Sequence, residues 1–387
     1  MIETPNTVVE LLQQLVRIPT ENPPGNDYRE AAALVGQILA DAGYEVSYVD
    51  AAPGLTNVLA RLRGRVGGPT LLLNGHLDVV PAGEGWNHPP FAGISDSGRV
   101  YGRGTADMKG AVASMLVAAQ RLAHKRKDLA GDLLLAFTAD EETGGLDGVK
   151  FLLDRGLLKA DFAVVGEPTD FEVRSCQRGA LWLEAEFRGR SAHGSLPHLG
   201  INAVEMAAEV IAALRKSCPS HLSHKLLGSP TLSVNRIDGG TKVNVIPNRC
   251  RIEIDRRMLP EENSSEVEAS IRAVIDAVKF PGAEYDIARM VHAQPFELEG
   301  EQLAIADHCA NAFEAVSGRA ATRTGELSFT DARLLVRQGK IPTVIFGPGL
   351  DSVCHITDEY IAIEDLKIAA DVYENLALRI LVGNERP

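Results

Sequence analysis

TLLLNGHLD (70–78) and DLLLAFTADEE (132–142) share one plan: a short uncharged run of leucines that ends in a histidine or a string of acids. Apolar runs of four to seven residues bounded by Gly, Asp or Pro suit strands buried on both faces. DFAVVGEPT (161–169) and IPTVIFGPG (341–349) repeat the plan, and TNVLARL (56–62) repeats its apolar part. Apolar residues at helical spacing lie around these runs, over 6–17 and 28–42, with Asn6 placed to cap the first and Gly43 to stop the second. Further helices are expected at 109–124, 147–155, 302–317 and from 363 onward. Buried strands alternating with helices predict an α/β layer, a mostly parallel sheet flanked by helices.

The pattern changes after about residue 178. LWLEAEFRG, TLSVNRI and RCRIEIDRR alternate apolar with polar residues, which fits half-exposed antiparallel strands, and helices fall at about 201–216 and 263–279. The expected organisation is a catalytic domain in two parts, 1–178 and 293–387, interrupted at 179–292 by an inserted two-layer α+β domain.

Fifty-two acids against thirty-nine bases give a net charge of −13, which argues against a nucleic-acid partner. The opening stretch, MIETPNTVVELLQQLVRIPT, has no basic segment followed by an apolar one, so no secretory signal is read there. No run approaches the roughly 18 apolar residues of a membrane span. The five cysteines, 176, 218, 250, 309 and 354, are scattered without a CxxC pair. Free thiols in a cytoplasmic protein are the expectation.

The chemistry-bearing residues cluster at or just after the strand ends, where open α/β sheets bind ligands. His76 and Asp78 stand two apart, so one face of the chain carries a metal-binding imidazole and a carboxylate to receive its other N–H. Asp107, in GRGTADMKG, lies just before a helix and would serve equally as an N-cap. Asp140-Glu141-Glu142 crowds three acids at one strand end, a cost that a cation would offset, with one carboxylate left free to take a proton. Glu167 in VVGEPT and His355 in GPGLDSVCHITDEY follow two more strands. Singly, each suits an ordinary loop. Together, two histidines and three carboxylates supply two metal ions with one carboxylate shared, and N/O donors without thiolates suit zinc, with cobalt or manganese as alternatives.

GHLDVVP, GRGTADMKGA, ADEETGG, VGEPT, SAHGSLPHLGINA, VNVIPNRC and the late GPG…H…DEY follow one another along nearly the whole chain. In this order they resemble the acetylornithine deacetylase and succinyl-diaminopimelate desuccinylase family of dinuclear zinc amidohydrolases, whose relatives include carboxypeptidases and dipeptidases. The resemblance implies that His76, Asp107 and Glu167 hold one zinc ion, and that Asp107, Glu142 and His355 hold the other. It implies Glu141 as general base, Asp78 as the carboxylate orienting His76, and a cis peptide after Asp107. It also implies a homodimer formed through the inserted domain, with His193 reaching the active site of the second subunit and Asn244 contacting substrate.

Arg257 in DRRMLP has the planar guanidinium to clamp a substrate carboxylate, and either it or Arg256 would equally serve as a surface ion-pair partner. One stretch departs from the family. Where many relatives carry Gly-Gly-Thr-Ser-Asp, this chain reads GELSFTDAR (325–333), keeping the Thr-Asp-x-Arg end without the glycine pair. The expected activity is hydrolysis of the amide in an N-acyl amino acid, the alternatives a carboxypeptidase or dipeptidase of the same family and, behind these, a non-catalytic metal-binding relative.

Overall fold

The computed structural model describes residues 7–382 apart from 26, 66 and 220. The chain divides into two compact units, one made of Met1–Ser175, Leu298–Thr324 and Thr330–Pro387, the other of Cys176–Glu297 with Gly325–Phe329.

The first unit is an α/β layer around a mixed sheet. Strands run in the spatial order Glu45–Asp50, Thr56–Leu62, Asp132–Thr138, Thr70–His76, Phe162–Val165, Thr343–Ile345 and Val173–Gln177. The four from Asp132–Thr138 to Thr343–Ile345 pair in parallel, as their leucine- and valine-rich runs lead one to expect. The outer pairings are antiparallel. TNVLARL is therefore not a parallel strand, because the short turn after Asp50 returns the chain directly and only an antiparallel hairpin closes that fast. Its partner Glu45–Asp50 escaped the sequence reading because no residue in it is fully buried.

Leu71, Leu72, Leu73, Leu133 and Leu135 are wholly buried. Each such side chain stabilises by roughly 1.5–3 kcal/mol, so the strand bodies outweigh the several kcal/mol that a charge buried at their ends costs.

Helices Val8–Val16, Arg29–Asp41, Gly110–His124, Ala304–Ser317 and Ile363–Leu381 flank the sheet. Asn6 lies outside the described residues; the cap of the first helix is Thr7, in a capping box with Glu10. Gly43, at a φ of 88°, follows the second. The helix expected at 147–155 is regular only over Phe151–Asp154, since Gly148 breaks it. A Cβ there would lie 2.1 Å from the Ala139 carbonyl oxygen, so the chain crosses too closely for any other residue.

The second unit is two-layered. Four antiparallel strands lie in the order Thr231–Gly239, Arg249–Met258, Gly179–Arg188 and Glu284–Ala293. Leu181, Leu183, Ala185 and Phe187 alternate inward from one central strand, Cys250, Ile252 and Ile254 from its neighbour. They pack with Met206, Val210 and Leu214 of Ala203–Ser217 and with Val267, Ile271 and Ile275 of Ser264–Ala277. Its borders differ from those read in the sequence. Phe296–Glu297 pairs with Cys176 and Gln177, and Phe329 sets its ring 5.8 Å from that of Trp182. Both segments thus join the second unit rather than the flanking parts.

Candidate active site

Parallel pairing sets several strand ends at one edge of the first unit. His76 closes its strand level with Thr138, two residues before Asp140, and Asn74 is level with Val165, two before Glu167. His76 is 1% exposed. Its Nδ1 lies 2.8 Å from the backbone carbonyl oxygen of Asp78 and 3.5 Å from Asp78 Oδ1. An Nδ1–H directed at that carbonyl leaves Nε2 as the position that can accept a cation. Nε2 faces Asp107 Oδ1 at 3.0 Å and Glu167 Oε2 at 3.8 Å.

Asp107 does not cap the following helix. Gly110–His124 starts three residues later with no side-chain cap. Asp107 instead turns its second oxygen, Oδ2, to within 3.2 Å of His355 Nε2. The peptide to Met108 is cis. His355, at a φ of 63°, also approaches Glu142 Oε2 at 3.4 Å. One carboxylate thus stands between two imidazoles, with a further glutamate on each side.

The Asp78 carboxylate does more than face a ring. Wholly buried, it accepts the backbone N–H of Glu141 at 3.2 Å, that of Glu142 at 3.1 Å, and Nδ2 of Asn22 at 2.9 Å. It holds the acidic turn, while its own carbonyl holds His76. Asn22 was missed in the sequence, where ENPPG reads as an unremarked loop; only its position in space gives it a role. Arg333, from the retained end of the divergent segment, donates to the Gly144 carbonyl at 2.6 Å, just past that turn. Its neighbour Asp331 is buried, which pushes its carboxyl up to about 6.

Crowding shows in the acidities. Burial, then the Glu167 charge, holds Glu141 well above the usual carboxylate range. Burial, then Asp107, pushes Glu167 up to about 8 and raises Glu142. Burial also works against a charged Asp107, but hydrogen bonds from His355 and His76 outweigh it and leave Asp107 below its ordinary value. Hydrogen bonds to Asp107 and Glu142 lift His355 to about 10. Such a concentration of carboxylates beside two imidazoles is an environment that divalent ions would suit.

The donor set fits such ions. His76, Asp107 and Glu142 bring one ligand atom each within 4.8 Å of one another, and so do His76, Glu141 and Glu167. Among the described residues Glu167 Oε1 is buried without a hydrogen-bond partner, a costly state that coordination would relieve. Cys354 stays out: its Sγ–H donates to the Leu350 carbonyl at 3.3 Å.

The second unit carries the remaining residues singled out in the sequence. His193 is exposed, its Nδ1 2.7 Å from Ser195 Oγ, in a short ladder with Val245. The Asn244 carbonyl accepts the Gly194 N–H at 2.8 Å, so these two motifs adjoin. Arg256 is buried against Glu262. Arg257 forks onto Asp255 at 2.9 and 3.0 Å, its guanidinium 5.9 Å from the Trp182 ring and 5.8 Å from that of Phe329.

Known proteins resemble this chain along nearly its whole length. A succinyl-diaminopimelate desuccinylase of Marinobacter nauticus is 29% identical over 383 residues, covering 96% of this chain and 98% of the relative. An aminopeptidase PepT from Bacillus cereus superposes with a TM-score of 0.81 at 23% identity over 97% of this chain and 99% of its own. A Bacillus subtilis protein described as a dinuclear metal binding peptidase does so at 0.74 and 19%, over 96% and 97%. At such identities the two structures speak to the fold alone. The model of peptidase family M20/M25/M40 matches residues 72–379, from the leucine-rich strand before His76 into the last helix, and the chain belongs to that family.

Proposed function

We propose that the enzyme is a dinuclear metal-dependent hydrolase that cleaves the amide bond of an N-acyl amino acid, in the manner of a deacetylase or desuccinylase. Asp107 carries the proposal: its two carboxylate oxygens stand 3.0 and 3.2 Å from two imidazole nitrogens. One cation would be held by His76, Asp107 and Glu167, the second by Asp107, Glu142 and His355. Zinc suits these donors, with cobalt or manganese as alternatives. Two such ions supply Lewis acidity to the scissile carbonyl and acidify a water near it.

Glu141 is the carboxylate that these assignments leave over. It takes a proton from the attacking water and returns it to the departing amine. Asp78 sets it in place through the Glu141 N–H. The full-length desuccinylase relative supports an acylated amino acid as substrate, with Asn244 and Arg257 as candidate contacts. Among the described residues all five cysteines are free and no helix is long and apolar enough to cross a membrane. Assay of N-succinyl and N-acetyl amino acids beside unblocked dipeptides, before and after chelation, tests the reading. Turnover of the acylated compounds that chelation abolishes is expected; turnover of free dipeptides alone, or any that survives chelation, overturns it.

His193 is proposed to act across a homodimer formed through the inserted unit, donating a hydrogen bond to the oxyanion that develops in the second subunit's site. His193→Ala is expected to depress kcat by about 10²–10³-fold with metal content unchanged. Mixed dimers of His193→Ala and Glu141→Ala chains should regain activity, since one of their two sites is then complete. Mixed dimers as inactive as either parent would reject the cross-subunit placement.

A further inference from the structure

Glu359 is completely buried, and nothing in the chemistry above uses it. Its Oε1 accepts the backbone N–H of Ala106 at 2.9 Å and that of Asp107 at 3.2 Å. Its Oε2 accepts Arg103 Nη1 at 2.6 Å. Arg103, only 2% exposed, also donates to the Ile356 carbonyl at 3.2 Å, and its guanidinium lies 5.1 Å from the Trp86 ring. The backbones are tied as well. Gly102 N–H reaches the Glu359 carbonyl at 2.9 Å, and Tyr360 pairs with Tyr101. The ion pair therefore joins two stretches of chain, 101–107 and 356–360, that end at Asp107 and begin beside His355.

A buried ion pair is no cheap way to fill space, since desolvation consumes most of its attraction. What a carboxylate provides here is a pair of fixed, charged acceptors for backbone donors that would otherwise go unpaired. The other metal-facing groups are anchored elsewhere. Asp78 holds His76 and Glu142, and Glu167 follows directly from its strand. Only Asp107 and His355 depend on the stretches that Glu359 and Arg103 connect.

We propose that Glu359, together with Arg103, is a positioning residue that sets Asp107 against His355, so that the cation held by Asp107, Glu142 and His355 depends on it more than the one held by His76, Asp107 and Glu167. The proposal rests on the dinuclear reading above. It adds that the two sites differ in their support, and that one residue touching neither ion controls the difference.

The test uses the full chain, stripped by a chelator and titrated with Co2+ by calorimetry and visible absorption, as wild type, Glu359→Gln and Glu359→Asp. Wild type is expected to take up two ions. In Glu359→Gln one site keeps its affinity, the other weakens by roughly 10–100-fold, and excess metal restores kcat. Glu359→Asp, which keeps the charge but withdraws it by one methylene, should fall between. Circular dichroism checks that each variant folds; should Glu359→Gln fail, Glu359→Asp carries the same expectation of one weakened site. Variants that bind both ions as wild type does, or weaken both equally, overturn the role of Glu359 and leave the dinuclear reading standing. A wild-type chain that takes up no ions overturns that reading itself.

Discussion

Glu141→Gln is expected to keep both metal ions and to lose about 10²–10⁴-fold in kcat, the usual range for a positioned general base. Glutamine has nearly the same shape, and its backbone N–H still donates to Asp78, as the Glu141 N–H does at 3.2 Å. What it cannot do is accept a proton. KM should change little, because the lost interaction is made only as the proton moves. The experiment also decides between two uses of this side chain. Glu141 stands close enough to His76 and Glu167 to share an ion with them. If it were a ligand, Glu141→Gln would lower the metal content along with the rate. Two ions per chain with kcat near wild type would reject the proton-transfer role outright.

Much of this site was legible because the sequence separates scaffold from chemistry. Strands 70–76, 132–138, 162–165 and 343–345 are uncharged inside, so the residues after them had to be where charge is tolerated. His76, Glu142, Glu167 and His355 come from four such ends, and parallel pairing brings those ends to one edge. Less legible was anything set by hydrogen bonds to backbone. Spacing alone put the carboxylate of Asp78 against the His76 ring; its carbonyl oxygen is nearer, and the carboxylate accepts from the Glu141 and Glu142 amides. Asn22 and Glu359 act through hydrogen bonds to distant parts of the chain, which no local pattern encodes. The hairpin strand 45–50 was invisible for a different reason. At an edge with little to bury, it carries no hydrophobic signal to read.

Asp107→Asn is expected to abolish uptake of at least one ion, weaken the other severely, and bring activity to background. The carboxylate now meets His76 with Oδ1 and His355 with Oδ2. An amide has one oxygen, uncharged, and must turn its NH2 toward the other side, where it repels a cation. The loss should be visible without any substrate. A ligand that binds only the folded chain stabilises it by about 2.7 kcal/mol at a hundredfold excess over its Kd, so zinc added to stripped wild type should raise Tm in a concentration-dependent way. Asp107→Asn should show little of that rise above its own metal-free Tm, which is itself expected to be lower, because the hydrogen bonds from His355 and His76 that hold Asp107 below its ordinary value are lost. A variant that still binds two ions with wild-type affinity would mean that Asp107 does not bridge them, and the carboxylate between the histidines would then need another explanation.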